Sequence, residues 1–264
     1  MGALHEGHLS LVRAAKARCD AVVVSIFVNP TQFGPKEDLA RYPRPFERDR
    51  ELLDKEGVDI LFSPTAEEMY PKGESTWVIV EGLSDKLDGR SRPGHFRGVT
   101  TVVAKLFQIV APNVAFFGQK DAAQVAVIRR MVRDLNFDLE IAVGPIVREA
   151  DGLALSSRNA YLSAEERRRA LVLSRSMRKI EEEFRAGERN STVLIAAARA
   201  CFAQEPEVRV DYIEVIDPDT LDPVSEIVRP ALLAVAAYVG STRLIDNTVL
   251  KPRLQPLRGP QCVY

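Results

Sequence analysis

Short apolar runs alternate with segments of helical periodicity through the first half of the chain. Residues 21–28 (AVVVSIFV) form such a run, rich in β-branched side chains, as expected of a buried parallel strand. By the same pattern, strands are predicted over 21–28, 58–62, 76–80, 113–117 and 139–147, and helices over 46–56, 99–110 and 121–135. Strands that alternate with helices indicate a parallel sheet with helices on both faces.

The second half has a different order of elements. Ser163 and Glu166 have the spacing of a capping box, which predicts the start of a charged helix that ends near Ala186. Further elements are predicted in the order helix 191–204 and strands 208–215, 232–238 and 243–250. We therefore predict an α/β fold with a Rossmann-like parallel-sheet domain over 1–146. A smaller α+β domain follows over 147–264, and its last residues, 251–264, form a loose tail.

Composition narrows the class of protein. The 36 Lys and Arg residues nearly balance the 37 Asp and Glu residues, so no nucleic-acid or anionic-membrane surface is expected. No apolar run is long enough to span a membrane, and no secretory leader is visible. The three scattered cysteines have neither disulfide-framework nor metal-site spacing, and we expect a cytoplasmic protein.

Two histidines, His5 and His8, stand where the first helix is predicted to begin, near Gly7. A helix N-terminus offers unpaired N–H groups and the positive end of the helix dipole, which suit phosphate oxygens. A protonated imidazole there would stabilise the charge on a transferring phosphoryl group. Taken alone, the pair is more simply explained as two surface residues, and a zinc site is a third alternative that lacks further ligands.

A second polar group follows the first predicted strand. Asn29 and Gln32 can hold a hydroxyl or a carboxylate without adding charge. They stand just beyond the carboxyl end of a strand, where open α/β sheets bind ligands. The simpler alternative is a plain Asn-Pro turn.

A third group follows the predicted strand at 113–117. Gly118 lets a nucleotide approach the backbone closely, and Lys120 can reach a phosphate. Asp121 can cap the next helix or hold a hydroxyl, and Gln124 lies one helical turn further on the same side.

A fourth group follows the strand that ends near Val147. Ser156, Ser157 and Arg158 could form a phosphate clamp that closes over a triphosphate, although a turn with a surface arginine explains them equally well. A basic loop over 89–98 could gather an anionic substrate, but a solvated loop is the simpler interpretation. Its basic residues are Arg90, Arg92, His95 and Arg97.

The combination of these groups is more specific than any one of them. The chain contains neither a P-loop sequence nor a GxGxxG sequence, so nucleotide binding would be of the HxGH type. The motifs are MGALHEGH, FVNPTQFG, YPR at 42–44, GHFRGV at 94–99, FFGQKD and DGLALSSRN. In this order they resemble the pantothenate synthetase (pantoate–β-alanine ligase) family of HIGH-type nucleotidyltransferases, from Met1 to about Leu250.

The resemblance implies a reaction. The carboxylate of pantoate attacks the α-phosphorus of Mg²⁺–ATP, pyrophosphate leaves, and pantoyl adenylate remains bound. The amine of β-alanine then attacks the acyl carbon, and AMP and pantothenate are released. Keeping water from the adenylate protects it from hydrolysis. The resemblance also implies a homodimer, with ATP, pantoate and β-alanine as its small-molecule partners.

The resemblance assigns residues as well. It implies that His8 is the proton donor and that His5, Lys120 and Arg158 contact the phosphates of ATP. It implies an ATP site formed by Met1, Gly2, Ala3, Leu4, His5, Glu6, Gly7, His8, Gly118, Gln119, Lys120, Asp121, Val147, Leu155, Ser156, Ser157 and Arg158. Gln32 and Gln124 would hold pantoate, with Gln32 also near β-alanine, and no side chain is assigned directly to a metal.

Three departures from the family pattern are visible. Leu155 replaces a usual Met, a volume-conserving change from which we expect little effect, and Gln119 stands where Glu is frequent. Family members also carry a strand before the residue that aligns with Met1, so we expect an unpaired sheet edge in the chain as written. The alternatives are a nucleotidyltransferase with another acceptor and a non-catalytic chain, either a truncated pseudoenzyme or a binding module.

Overall fold

The computed structural model of the protein describes residues 1–35 and 37–252. Its helices are α1 (Glu6–Lys16), α2 (Phe46–Lys55), α3 (Ala66–Met69), α4 (Asp88–Ser91), α5 (His95–Val110), α6 (Ala122–Asp134), α7 (Ala164–Ala170), α8 (Val172–Ala186) and α9 (Ser191–Phe202). Its strands are β1 (Val23–Ser25), β2 (Ile60–Phe62), β3 (Val114–Gly118), β4 (Glu140–Gly144), β5 (Val208–Ile216), β6 (Ala231–Val239) and β7 (Thr242–Leu250). All but the first two residues of the predicted tail, 253–264, lie outside the described residues.

The first half is an α/β unit, as the alternation of apolar segments predicts. β1 pairs with β2 and β3 with β4, both in parallel, so the described strands of this half form two two-stranded sheets and not the single sheet predicted. Beside β1, the amino group of Met1 donates to the Ser25 carbonyl (2.7 Å), and the Phe27 amide donates to the Met1 carbonyl (3.0 Å). α1 lies over β3 and β4, so its N-terminus is held near the carboxyl ends of these strands.

Two predicted elements differ from the structure. The segment 76–80 is not a strand, because its backbone bonds to side chains of α5 instead of to a neighbouring strand. The Val78 amide donates to Thr101 Oγ1 (3.0 Å), and the Val78 carbonyl accepts from Thr100 Oγ1 (2.6 Å). The predicted helix from Ser163 to Ala186 is divided into α7 and α8 at Leu171, whose ψ of −13° departs from α-helical geometry.

The second half is built on an antiparallel sheet in the order β5-β6-β7. One face of this sheet packs against α8 and α9, and α8 contributes Leu173, Met177, Ile180 and Phe184 at helical spacing. The opposite face packs against α5 and α6 of the first half, where Leu232 and Ala236 share one buried core with Val99. The central strand β6 is therefore covered on both faces.

Candidate active site

A cavity of about 380 Å³ opens beyond the carboxyl ends of β1, β3 and β4. The N-terminus of α1 forms one wall, and the segments that follow the three strands form the others. This volume is typical of small-molecule sites, and ligands in open α/β sheets bind at this edge.

Most of the residues singled out in the sequence line this one cavity, although they come from distant parts of the chain. Those brought together are Met1, Gly2, His5, Gly7, His8, Gln32, Gly118, Lys120, Asp121, Gln124, Val147, Leu155, Ser156, Ser157 and Arg158. His8 and Arg158, from the first and the last of the predicted groups, therefore face the same space.

Four of the predicted ATP-binding residues do not line the cavity. Two of these four hold the backbone of the N-terminal segment in place. Leu4 is 1 % exposed within the core, and its amide donates to Asp49 Oδ1 (2.8 Å). Ala3 is buried as well, and its carbonyl accepts a hydrogen bond from Ser157 Oγ (3.2 Å). These contacts fix the path of the segment that leads into α1.

The other two residues face away from the cavity. Glu6 forms an ion pair with Arg13 at the exposed surface of α1. Gln119 donates from Nε2 to Asn247 Oδ1 (2.9 Å), which joins the end of β3 to β7 of the second half. Their predicted part in ATP binding thus has no support from side-chain position.

The two histidines are held together at the start of α1. His5 is the N-cap residue, and its backbone N–H donates to Nδ1 of His8 (3.3 Å). Since Nδ1 of His8 accepts, the ring proton of the neutral imidazole is on Nε2. A Cβ on Gly7 would lie 3.0 Å from the His5 ring, so glycine leaves this ring the space to fold back over the helix.

Both imidazoles are neutral near pH 7. Burial, followed by the nearby His5 ring, the N-terminal amine and Lys120, lowers the pKa of His8 to about 3. Burial also lowers the pKa of His5 below its usual value, with Lys120 adding to the effect. The expectation of a protonated imidazole is therefore wrong for this state of the protein, and His8 is a neutral N–H donor.

Arg158 lies across the cavity from α1 and is already paired. Its Nε and Nη2 donate to the two carboxylate oxygens of Asp38, each at 2.9 Å. Burial acts to lower the pKa of Arg158, but the hydrogen bonds and charge of Asp38 outweigh it, and the pKa is raised. Cζ of Arg158 lies 5.8 Å from the centre of the Tyr42 ring and over the face of that ring, as in a cation–π contact.

The basic loop is not uniformly solvated. Arg92 and His95 line the cavity, whereas Arg90 pairs with Glu214 of β5 and Arg97 stacks on Trp77. The interpretation of this segment as a solvated loop is therefore wrong for Arg92 and His95. Arg92 is the C-cap residue of α4 and His95 begins α5, so no regular helical spacing in the sequence separates these two residues from Arg90 and Arg97.

Arg92 and His95 form a small network. Arg92 donates from Nη1 to Nε2 of His95 (3.1 Å), so the other ring nitrogen, Nδ1, carries the proton and donates to the Gln32 carbonyl (2.9 Å). Glu37 accepts from Nε of Arg92 through both carboxylate oxygens (3.1 Å each). Burial and the charge of Arg92 lower the pKa of His95 to about 4.

Other kinds of site find no support in the structure. Within residues 1–35 and 37–252, no group of three or more His, Cys, Asp or Glu side chains could hold a metal ion, which leaves the zinc alternative unsupported. No helix in that same part of the chain is long and apolar enough to cross a membrane.

Comparison with known proteins agrees with the geometry. The family model for pantoate-beta-alanine ligase matches residues 1–249. A pantothenate synthetase from Acidobacterium capsulatum is 68% identical over 250 residues, covering 95% of this chain and 84% of the relative. One from Koribacter versatilis is 62% identical, covering 99% of this chain and 89% of the relative.

Solved structures agree as well. The crystal structure of pantothenate synthetase from Thermus thermophilus superposes with a TM-score of 0.93 at 50% identity, covering 96% of this chain and 91% of that one. A pantoate-beta-alanine ligase from Francisella tularensis, complexed with beta-gamma ATP and β-alanine, gives a TM-score of 0.73 at 36% identity, covering 94% of this chain and 87% of that one.

Proposed function

The chain belongs to the pantoate–β-alanine ligase family, and we propose that it carries out the family's reaction in the cavity at the start of α1. It joins pantoate to β-alanine at the expense of ATP and forms pantothenate. The observation that carries the assignment to this cavity is the meeting of the two histidines, Lys120, the two glutamines and Arg158 around one space.

The first step is adenylation of pantoate. A carboxylate oxygen of pantoate attacks the α-phosphorus of ATP, and the bond from that phosphorus to the pyrophosphate oxygen breaks. His8 donates a hydrogen bond from Nε2 to the phosphate oxygens, and Lys120 balances their growing charge. Because His8 is neutral, we assign it the role of hydrogen-bond donor, while the positive charge comes from Lys120 and Arg158.

The second step is amide formation. The amine nitrogen of β-alanine attacks the acyl carbon of the adenylate, the bond from that carbon to the phosphate oxygen breaks, and AMP leaves with its electron pair. The nitrogen then loses a proton and pantothenate is complete. Gln32 and Gln124 hold the pantoyl group throughout, with Gln32 also near the amine, and both line the cavity without introducing charge.

The adenosine end of ATP is assigned to the remaining walls. Gly118 stands at the end of β3 with nothing within 4 Å of a Cβ built upon it, so the backbone there is open to a ligand. Val147 follows β4 and would meet the adenine through its backbone. Residues 155–158 line the facing wall, from which Arg158 can reach the triphosphate once it leaves Asp38.

Magnesium is proposed to enter with ATP. Asp121 is the single carboxylate among the described residues that line this cavity, and its side chain is 49% exposed. Mg²⁺ retains several waters and is commonly held by one or two carboxylates together with substrate phosphates. The residues present therefore fit a metal carried by the nucleotide, which would neutralise phosphate charge when bound.

Three further properties are part of the proposal. The family resemblance supports a homodimer, and the balanced charge and scattered cysteines support a cytoplasmic enzyme. The change from parallel to antiparallel strands supports a division into domains at residues 1–146 and 147–264.

A direct assay tests the function. Purified protein with Mg²⁺, ATP, pantoate and β-alanine is expected to release AMP and pantothenate in equal amounts. Without β-alanine, labelled pyrophosphate should exchange into ATP only when pantoate is present, because adenylation is reversible and separate from amide formation. Pantoate-independent exchange, or no pantothenate from the complete mixture, would overturn the proposal.

A further inference from the structure

The turn that carries Gln32 is packed tightly against helix α5. A Cβ on Gly98 of α5 would lie 2.5 Å from the Thr31 carbonyl oxygen and 2.6 Å from the Gln32 amide nitrogen. These distances are shorter than any normal contact, so only glycine lets the turn and the helix meet. The backbone of Gln32 is also held from the other side, where its carbonyl accepts from His95.

Asn29 lies beneath this turn with its carboxamide in a fixed orientation. The side chain is 3% exposed, and its Nδ2 donates to the Gly98 carbonyl (3.1 Å), while its Oδ1 accepts from the Thr31 amide (3.3 Å). A carbonyl can only accept and an amide N–H can only donate. Exchanging the nitrogen and oxygen of Asn29 would therefore place like groups against each other at both contacts.

The fixed amide of Asn29 in turn orients Gln32. Nδ2 of Asn29 donates to Oε1 of Gln32 (3.2 Å). The oxygen of the Gln32 carboxamide is thus engaged, and its NH₂ group is left for the cavity that Gln32 lines. Gln32 consequently meets a ligand as a donor of hydrogen bonds, which selects for oxygen acceptors such as a carboxylate, a carbonyl or the lone pairs of a hydroxyl.

The shortest bond to Asn29 comes from outside the cavity. Tyr70, which follows α3, donates from its hydroxyl to Oδ1 of Asn29 at 2.7 Å. Thr31 Oγ1 lies 3.2 Å from the same phenol oxygen, so the hydroxyl also joins the turn. Tyr70 and Thr31 are both absent from the described lining of the cavity, whereas Asn29 belongs to it. Thr31 Oγ1 also donates to Oδ1 of Asn29 (2.9 Å), so both contacts of the Tyr70 hydroxyl lead to Asn29.

We propose that Tyr70 is a positioning residue of this enzyme. Through Asn29 it holds the Gln32 carboxamide with the nitrogen toward the cavity, so that Gln32 donates hydrogen bonds to the oxygens of the hydroxy acid. We call Tyr70, Asn29 and Gln32 the amide relay. The proposal rests on the proposed function, since pantoate is the hydroxy acid concerned.

A double-mutant cycle between Tyr70→Phe and Gln32→Ala tests the amide relay. Tyr70→Phe keeps the ring and removes the two hydrogen bonds of the hydroxyl, to Asn29 and from Thr31, so KM for pantoate should rise about threefold to tenfold, while KM for ATP stays nearly unchanged. In the Gln32→Ala background, Tyr70→Phe should have little further effect on KM for pantoate, because the group that it orients is gone. The matched control is Tyr238→Phe, whose hydroxyl makes no hydrogen bond within the described part of the chain.

The outcomes separate the two proposals. Equal factors for Tyr70→Phe in both backgrounds, or equal rises in KM for ATP and pantoate, would mean a general structural role and would overturn the amide relay. If the test overturns the amide relay, the proposed function still stands, because the unmodified enzyme would continue to form pantothenate. Absence of pantoate-dependent activity in the unmodified enzyme would instead overturn the proposed function. Thermal unfolding of each variant shows whether it is folded before its KM values are compared.

A second variant tests the direction of the amide. Asn29→Asp has no N–H to give to Gln32, so the Gln32 carboxamide should rotate and present its oxygen to the cavity. Pantoate binding should weaken by more than in Tyr70→Phe, since an acceptor then faces the substrate carboxylate and Asp at position 29, which lines the same cavity, adds a negative charge. The part due to the rotated amide is the part that disappears when Asn29→Asp is compared with Asn29→Asp/Gln32→Ala, because the added charge is the same in both. Pantoate binding at unchanged strength in a folded Asn29→Asp protein would contradict the assigned orientation.

Discussion

Asp38 and Arg158 form a two-point ion pair beside the cavity, with both donor-to-acceptor distances at 2.9 Å. Arg158 is the residue that the sequence indicates as a clamp for the triphosphate. In this arrangement ATP and Asp38 compete for the same guanidinium group.

Removing Asp38 is therefore expected to strengthen ATP binding. In Asp38→Ala, Arg158 no longer has to leave an ion pair, and the dissociation constant for a non-hydrolysable ATP analogue should fall about twofold to fivefold. Calorimetric titration measures the change. Asp134→Ala, which removes an exposed pair with Arg130 far along α6, serves as the control. Weaker ATP binding in Asp38→Ala would contradict this competition and would mean that Asp38 holds Arg158 in the orientation that binds the nucleotide.

Lys120 should contribute to catalysis through its charge. Lys120→Met keeps most of the length of the side chain but cannot pair with phosphate, so we expect kcat/KM for ATP to fall about tenfold to a hundredfold. KM for pantoate should change little. Lys179→Met, at an exposed pair with Glu183, controls for the loss of a lysine elsewhere. Full activity of Lys120→Met would remove this residue from the phosphate site.

The buried histidines predict a loss of stability in acid. The pKa of His8 is about 3 and that of His95 about 4 in the folded protein, both below the usual 6.5. Between those values and 6.5 the unfolded chain binds more protons than the folded one, so the free energy of unfolding falls as the pH is lowered through this range. Thermal unfolding from pH 7 to pH 4 measures it.

The matching variant for this pH effect is His95→Gln. It should unfold at a temperature that depends less steeply on pH than the unmodified protein, even if it is less stable at pH 7. An unchanged pH dependence would mean that His95 is charged in the folded state.

Gly98 is expected to tolerate no side chain. Alanine normally favours a helix over glycine by about 1 kcal/mol, but here its Cβ would collide with the turn that carries Gln32. Overpacking of this kind costs about 1–3 kcal/mol, so Gly98→Ala should lower both the unfolding temperature and the affinity for pantoate. Gln108→Ala, on the exposed side of the same helix, should lower neither. A stabilised, fully active Gly98→Ala would contradict the packing described.

Much of the fold and site follows from local patterns in the sequence. Buried parallel strands are short apolar runs, and the polar residues just after them meet because parallel strands end at one edge. This is why the sequence alone could place His5, Gln32, Lys120 and Arg158 in one cavity.

The features that the sequence did not predict depend on contacts between residues that are distant in sequence. The segment at 76–80 has the composition of a strand but bonds to Thr100 and Thr101, which no local pattern reveals. The neutral state of His8 depends on its burial, and a histidine so near the N-terminus of the sequence is expected to be exposed. Tyr70 is distant in sequence from the polar motifs and is joined to the site by its hydrogen bonds with Asn29 and Thr31.

The double-sided cover of β6 bears on how the enzyme can move. Rotating the two halves apart would expose Leu232 and Val99 to water, so such a rotation costs hydrophobic free energy. We therefore expect motion during turnover to be smallest at this core and larger at the margin of the cavity, where Asp38 and Arg158 lie. Product release should accordingly depend on solvent viscosity and on substitutions next to Asp38 and Arg158 more than on substitutions in the core between the halves.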